Sequence, residues 1–218
     1  MTTVFVTGGT GYIGRPLIAR LLATGHEVHA LVRKGSESRL PPGARRVWGD
    51  ALDAGTFQRA IPAGATLIHL IGTPHPSPAK AAQFVQVDLA SIMASTQAAR
   101  QAGVVHFVYV SVAQPAPVMA AYIDVRRRGE AAVAAAEIPA TVVRPWYVLG
   151  PGHRWPLMLV PVYALLRRIP ATRDSARRLG LVSLADMVAT LANAVADPPV
   201  SGVRIIDVAA IRGAACAP

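Results

Sequence analysis

Thr7-Gly-Gly-Thr-Gly-Tyr-Ile-Gly14 follows the pattern T-G-x-x-G-x-x-G, and its surroundings decide the fold. The apolar run Thr3–Thr7 reads as a strand directly before it, and residues 12–23 read as a helix directly after it. In such a strand–loop–helix unit Gly8 permits the sharp turn, Gly11 lets the backbone approach a pyrophosphate, and Gly14 lets the helix pack closely on the strand. The N–H groups that open the helix, together with its dipole, stabilise the anion. The segment therefore reads as a dinucleotide phosphate loop, lined by Gly8, Thr10, Gly11, Tyr12, Ile13 and Gly14.

The chain around the loop repeats the same alternation. Thr3–Thr7, Glu27–Val32 and residues 46–48, 66–71, 104–111 and 141–144 read as six strands, most of them near-continuous apolar runs suited to parallel strands covered on both faces. Residues 12–23, 79–101 and 120–137 have helical composition and length, and 54–59 is a shorter helix candidate. Repeated β-α-β units imply right-handed crossovers and an α/β fold with a doubly wound, Rossmann-like parallel sheet. After Arg144 the prolines at 145, 151, 156, 161 and 170 break long helices. Residues 155–168 look like an interrupted apolar helix or lid. Leu184–Ala196 reads as a helix with Ser183 as N-cap and Asp186 at the third helical position, and 203–208 as a strand returning to the sheet. The expectation is one NAD(P)-binding domain over 1–218, with a small C-terminal substrate or lid region at 146–200 inside it. The stiff loop Thr73-Pro-His-Pro-Ser-Pro78 follows the fourth strand and belongs at the ligand edge.

The strand ends suggest which dinucleotide fits. An acidic residue at the end of the second strand would bind both ribose hydroxyls of NAD. Here the segment is Leu31-Val32-Arg33-Lys34, whose cations suit a 2′-phosphate. NADP(H) is therefore preferred, with NAD(H) as the alternative. Asp50, followed by Ala51 after the third strand, could accept from the adenine amine or serve as an ordinary turn aspartate. Leu70 and Gly72 after the fourth strand and Pro145 after the sixth complete the candidate cofactor wall.

Composition narrows the function classes. Of the 218 residues 52% are hydrophobic and only 16% charged, so a large core is expected and disorder is not. Cys216 is the sole cysteine, which excludes a disulfide framework and a cysteine metal site and fits a reducing cytoplasm. The N-terminus lacks the basic region of a signal peptide, and a cytoplasmic location is expected. A net charge of +10 invites a nucleic-acid reading, but the cations are scattered arginines with only Lys34 and Lys80 as lysines. The clusters 126–128, 167–168 and 177–178 lack interleaved aromatics that could stack bases, so no nucleic-acid partner is expected. Membrane association through 155–168 is not expected either, because that stretch is short and proline-broken. His69, His75, His106 and His153 lack metal-ligand spacing, and no metal is expected. His69 within an apolar strand suits the core, and His75 suits the surface. His153, Trp155 and Tyr147 could line a substrate pocket, although Trp146 and Tyr147 fit the core equally well.

Taken together these motifs resemble the short-chain dehydrogenase/reductase superfamily, in its extended and atypical branches that include sugar-nucleotide epimerases and NmrA-like proteins. The resemblance rests on the glycine motif, on Gly49-Asp50, on Val108-Tyr-Val-Ser111, on Val143-Arg-Pro-Trp-Tyr-Val-Leu-Gly-Pro-Gly152, which is similar to the family's R-P-x-x-x-x-G-P segment, and on Val182-Ser-Leu-Ala-Asp186. It implies a serine after the fifth strand and a Tyr-x-x-x-Lys on the next helix, where tyrosine transfers the proton and lysine lowers its pKa and holds the nicotinamide ribose. Ser111 and Tyr122 match, but Arg126 stands where the lysine is expected. Arginine on the same helical face still favours tyrosinate, yet cannot relay a proton and presents a planar fork. Two readings follow. One is an NADP(H)-dependent oxidoreductase or epimerase-type enzyme on a small carbonyl or alcohol, with Tyr122, Ser111 and Arg126 catalytic. The other is a non-catalytic NADP(H)-binding redox sensor or assembly subunit in which Tyr122 and Arg126 hold the cofactor. The alanine-rich helices 79–101 and 120–137 would suit a homo-oligomer formed through a helix pair.

Overall fold

A computed structural model describes residues 2–116, 118–152 and 179–216. The lid expected at 155–168, His153, Trp155 and the arginine pairs 167–168 and 177–178 lie outside the described residues. The strands are β1 (Thr3–Thr7), β2 (Glu27–Val32), β3 (Arg45–Trp48), β4 (Thr66–His69), β5 (His106–Val110), β6 (Ala140–Arg144), β7 (Tyr147–Leu149), β8 (Leu181–Ser183) and β9 (Val203–Asp207). Seven of them form one parallel sheet in the order β3-β2-β1-β4-β5-β6-β9. The helices that cover it are α1 (Gly14–Ala23), α2 (Ala90–Ala102), α3 (Ala120–Ala135), α4 (Leu184–Ala196) and the short α5 (Val208–Ile211). The doubly wound α/β fold expected from the alternation is the fold observed.

The period-2 geometry of the strands sorts their side chains into two cores. Val4 and Val6 of β1 face α1 and α4, where Leu17, Ile18, Leu21, Met187 and Leu191 are buried. Phe5 points the other way, toward Phe57 and, beyond it, Ile92 of α2 and Val125 and Val133 of α3. A one-residue slip of β1 would exchange these faces, so burial on both sides fixes the register.

Several local expectations are corrected. Residues 54–59 are not one helix but two 3-10 turns, Ala54–Thr56 and Gln58–Ala60. Asp53 caps the first through the Gly55 N–H, and Phe57 leaves helical geometry to enter the core. Residues 79–101 are not one uniform helix: a 3-10 turn at Pro78–Lys80 and one α-turn at Ala81–Gln83 lead into a π-helical stretch, Phe84–Leu89, before α2. The strands expected at 66–71 and 104–111 are shorter, so residues 70–73 and 111–113 are irregular edge segments. β7 and β8 pair in parallel as a separate two-stranded sheet that periodicity did not suggest. Among the described residues no helix is long and apolar enough to cross a membrane.

The N-terminus of α4 has the expected cap. Ser183 Oγ accepts from the Asp186 N–H at 3.0 Å, and the Asp186 carboxylate accepts backbone N–H groups of Ala215, Gly213 and Ser183. Burial works against the Asp186 charge, but these bonds outweigh it and hold the carboxyl below its usual range. Ser183→Ala should cost about 1 kcal/mol. Thermal melts should then show a midpoint about 2–4 °C below wild type.

Two buried histidines give the fold a pH dependence. Burial, with Arg126 nearby, pushes His69 down to about 3, and burial with Arg204 pushes His106 down to about 4. In the unfolded chain both titrate near 6.5, so the unfolded state takes up protons first as pH falls. Their contribution is complete above that value and is lost progressively below it. Urea unfolding should give a stability that drops between pH 6.5 and pH 4, with a shallower drop in His69→Gln. Equal pH profiles for the two proteins would remove His69 as a source.

Candidate dinucleotide-binding site

A parallel sheet gathers its loops at the carboxyl ends of the strands, and the candidate residues cluster there. Gly8 has φ +77, and an added Cβ would lie 3.0 Å from the Leu70 carbonyl carbon, so the loop rests directly on the chain leaving β4. The Leu70 N–H donates to the Thr7 carbonyl at 3.1 Å and fixes that contact. An added Cβ on Gly14 would run into the Gly8 carbonyl and the Gly9 backbone, which is why α1 can start hard against the loop. Gly9, which sequence reasoning passed over, is also closely packed, with an added Cβ meeting the Ile18 and Ala30 side chains. The Gly11 N–H donates to the Gly8 carbonyl at 3.0 Å. No side chain caps α1 at Ile13 and its first turn holds no acid. The Arg15 N–H donates to the Gly11 carbonyl and the Leu17 N–H to the Ile13 carbonyl, both at 3.2 Å, and Pro16 has no N–H, which leaves the Gly14 N–H at the start of the helix for an anion. Thr10 is half-buried in the same loop. Tyr12 reaches across to Gly150 beyond β7, and burial raises its pKa.

At the end of β2, Arg33 and Lys34 are exposed. Arg33 Nε donates to Ser36 Oγ at 3.3 Å, and Arg39 Nη2 donates to the same oxygen at 3.0 Å. Ser36 itself is only 3% exposed, so a buried hydroxyl gathers two guanidinium groups beside the strand end. Asp50 Oδ1 accepts from the Leu52 N–H at 3.0 Å, past Ala51, which is the turn role that competed with adenine binding.

A set of buried charges lies at the ends of β4, β5 and β6. Arg126 is 4% exposed and donates through Nη2 to Asp88 Oδ1 at 2.7 Å. Its Nη1 donates to the Val110 carbonyl at 3.1 Å and reaches the Ile71 carbonyl and the Tyr109 hydroxyl at 3.4 Å. Burial works against the Arg126 charge, but Tyr122, Tyr109 and Asp88 outweigh it and its pKa is raised. The same guanidinium sits 5.0 Å from the Tyr122 ring centroid, over the ring face. Tyr122 also packs against Phe84, and its hydroxyl has no hydrogen bond among the described residues. An added Cβ on Gly72 would collide with Arg126 Nη2, so only glycine leaves room there.

Ser111 belongs to a neighbouring network. Its hydroxyl donates to Glu130 Oε1 at 2.5 Å, and Gln114 Nε2 donates to the same oxygen at 2.9 Å. Arg144 clamps Glu130 with both nitrogens, at 2.9 and 2.5 Å, and this pairing raises the Arg144 pKa. The Pro145 carbonyl accepts from the Ala113 N–H, which holds the segment after β5 beside β6. Trp146 and Tyr147 meet edge to face and pack partly against the core. His69 is fully buried between Thr7, Ser91 and Ser95.

Sequence reasoning missed Ser36, Arg39, Asp88 and Glu130. Asp88 did leave a signal, since it is a lone carboxylate between Val87 and Leu89 in an alanine-rich stretch. The site thus offers an uncapped helix end and a guanidinium pair. Those features fit a phosphorylated ligand.

Residues 8–154, more than half of the chain, match the family described as NAD(P)H-binding. The chain is 29% identical over 210 residues to the ceramide reductase of Caulobacter vibrioides, covering 94% of this chain and 64% of that protein. It is 32% identical over 160 residues to the chloroplastic divinyl chlorophyllide a 8-vinyl-reductase of Oryza sativa subsp. indica, covering 66% of this chain and 39% of that protein. It therefore spans less than two-thirds of the length of either relative. Among solved structures, a short-chain dehydrogenase/reductase superfamily protein from Agrobacterium tumefaciens with bound NAD superposes with a TM-score of 0.68 at 19% identity, over 95% of this chain and 80% of that one. The chain belongs to the NAD(P)H-binding family, on the Rossmann-type fold of the short-chain dehydrogenase/reductases.

Proposed function

We propose that the chain is an NADP(H)-dependent reductase of the short-chain dehydrogenase type, or an epimerase-type enzyme of the same chemistry, acting on a small carbonyl or alcohol. The observation that carries the cofactor half of this reading is the convergence of Arg33 and Arg39 on Ser36, with no carboxylate in residues 31–36. Two guanidinium groups at the end of β2 suit the dianionic 2′-phosphate that separates NADP from NAD. The names of the two relatives, both reductases, support the redox half.

In this reading Gly8, Gly11 and the Gly14 N–H at the start of α1 hold the pyrophosphate, with Thr10, Tyr12 and Ile13 beside it. Leu70, Gly72 and Pro145 form the wall at the strand ends. The nicotinamide, when bound, supplies or accepts the hydride. Tyr122 holds the proton that moves to or from the substrate oxygen, since its hydroxyl is not committed to another group among the described residues. Arg126 keeps a positive charge on the face of the Tyr122 ring. Ser111 gives its own proton to Glu130, so it meets a ligand through its lone pairs.

A second reading, NADP(H) binding without turnover as a redox sensor or assembly subunit, draws on one observation. Both Arg126 and Ser111 are already engaged by carboxylates, Asp88 and Glu130. One set of measurements separates the two. Arg33→Ala and Arg39→Ala should each raise the NADPH dissociation constant about tenfold or more and leave NADH affinity unchanged. Equal losses for both cofactors would overturn the NADP preference. Tyr122→Phe should bind NADPH as wild type does and lose about a hundredfold or more of NADPH oxidation over a panel of aldehydes and ketones. Wild-type binding with no oxidation of NADPH by any member of the panel would overturn the enzyme reading in favour of the second.

A further inference from the structure

Ser36 carries no charge and is enclosed, yet two exposed arginines end on its hydroxyl. The chain brings them there through two turns in succession. The Ser36 N–H donates to the Arg33 carbonyl at 3.2 Å, with Gly35 in the left-handed region at φ +82. The Arg39 N–H then donates to the Ser36 carbonyl at 3.2 Å, closing the 3-10 turn Glu37–Arg39. Each turn advances the chain by three residues, so the side chains of 33, 36 and 39 meet on one side of the segment.

Arg33 reaches Ser36 Oγ with its inner nitrogen, Nε, at 3.3 Å, and Arg39 with one terminal nitrogen, Nη2, at 3.0 Å. That leaves both terminal nitrogens of Arg33, and Nε and Nη1 of Arg39, as donors with no partner among the described residues. Neither guanidinium has a carboxylate within ion-pair distance among the described residues. A neutral oxygen thus holds two like charges together, against their repulsion and against the rotamer freedom of two long side chains. A phosphomonoester dianion supplies the charge that the pair lacks and accepts from both forks, whereas a ribose hydroxyl brings no charge to either.

We propose that Ser36 is a positioning residue for cofactor choice: its enclosed hydroxyl keeps Arg33 and Arg39 aligned as one cradle for a 2′-phosphate, and so favours NADP(H) over NAD(H) without touching the ligand. The proposal rests on the reading of this strand end as the 2′-phosphate site, and it makes that preference depend on a side chain with no charge. Without the hydroxyl both cations remain, but they part, and the dianion has to gather them at the moment of binding.

Adenosine 2′-monophosphate is the probe, titrated calorimetrically into the purified protein at pH 7.5, with adenosine 5′-monophosphate as the control. Wild type should prefer the 2′-isomer. Ser36→Ala should bind it about tenfold more weakly, show the same loss for NADPH, and keep wild-type affinity for NADH. Ser36→Thr, which retains the hydroxyl, should bind as wild type does. Added salt separates alignment from charge. Ser36→Ala should lose affinity with salt as steeply as wild type, because no cation has been removed, whereas Arg39→Ala should respond less steeply. Wild-type binding of the 2′-isomer by Ser36→Ala, an equal loss of NADH affinity, a flattened salt response in Ser36→Ala, or a Ser36→Thr as weak as Ser36→Ala would each overturn the proposal. Should Ser36→Ala fail to fold, Ser36→Cys keeps the volume with only a weak acceptor and must show the same selective loss. Wild-type binding by Ser36→Cys, or collapse of both variants, would count against the proposal. Arginine variants that lose the 2′-isomer beside a Ser36→Ala that does not would sink this inference and leave the NADP(H) reading standing. Equal affinity of wild type for the two isomers would sink the NADP(H) reading itself.

Discussion

The buried pair Asp88–Arg126 is the constraint around which the ligand edge is arranged. Removing a guanidinium from water costs several kcal/mol, and only good geometry with further hydrogen bonds offsets it. Here the offset comes from a carboxylate with no exposed surface and from main-chain carbonyls at the ends of two adjacent strands. Losing either charged partner would leave the other unpaired, at a cost of about 3–5 kcal/mol. Several oddities of the sequence follow from that requirement. Gly72 must lack a side chain, because a Cβ would occupy the place of Arg126 Nη2. The π-helical stretch brings Asp88 inward, and Thr73 opens the proline-rich loop by binding the second carboxylate oxygen. The stiff loop at 73–78 is thus anchored from within.

The same edge is tied to the phosphate loop. Thr7, the last residue of β1, shares His69 with Ser95, and the Thr7 carbonyl accepts from Leu70. Gly8 then lies on the backbone of Leu70. Strand order makes this possible, because β1 and β4 are neighbours at the point where the order of the sheet reverses. A shift of the 70–73 segment would therefore be felt at both Gly8 and Arg126.

Much of this was legible in the sequence, and the boundary between what was and was not is physical. The glycine pattern carries its own geometry, and the apolar alternation of β1, β2, β5 and β6 reports two covered faces, so fold class and loop could be read directly. Tertiary events could not. β7 and β8 are three-residue strands whose pairing depends on chain brought together from more than thirty residues apart. Phe57 breaks the expected 54–59 helix because the core claims its ring. Asp88 was hidden inside a stretch that local propensity describes as plain helix, although a single carboxylate between Val87 and Leu89 was a cue. Arg126 was legible as a departure from the lysine that the family resemblance implies, but its partner was not. A substitution at one position of a buried pair is understood only with the other.

The distribution of charge along the cleft has a bearing on how binding and chemistry divide. Arg33, Lys34 and Arg39 form an exposed cationic end, and the hydroxyl shared by two of them does not neutralise them. At the opposite end the buried charges among the described residues are paired, Asp88 with Arg126 and Glu130 with Arg144. On the proposed reading, attraction for a polyanionic cofactor is concentrated where its phosphate charge sits, and the reacting end is left electrically neutral. Such a division lets affinity be set by Arg33 and Arg39 without imposing a charge requirement on the reacting group. It also accounts for an arginine in the place of lysine. A lysine can shift its pKa and exchange a proton, whereas an arginine cannot, so its fixed charge near Tyr122 must be balanced locally if the cleft is to stay neutral. Asp88 provides that balance, with its carboxylate 2.7 Å from Arg126 Nη2 and no exposed surface of its own.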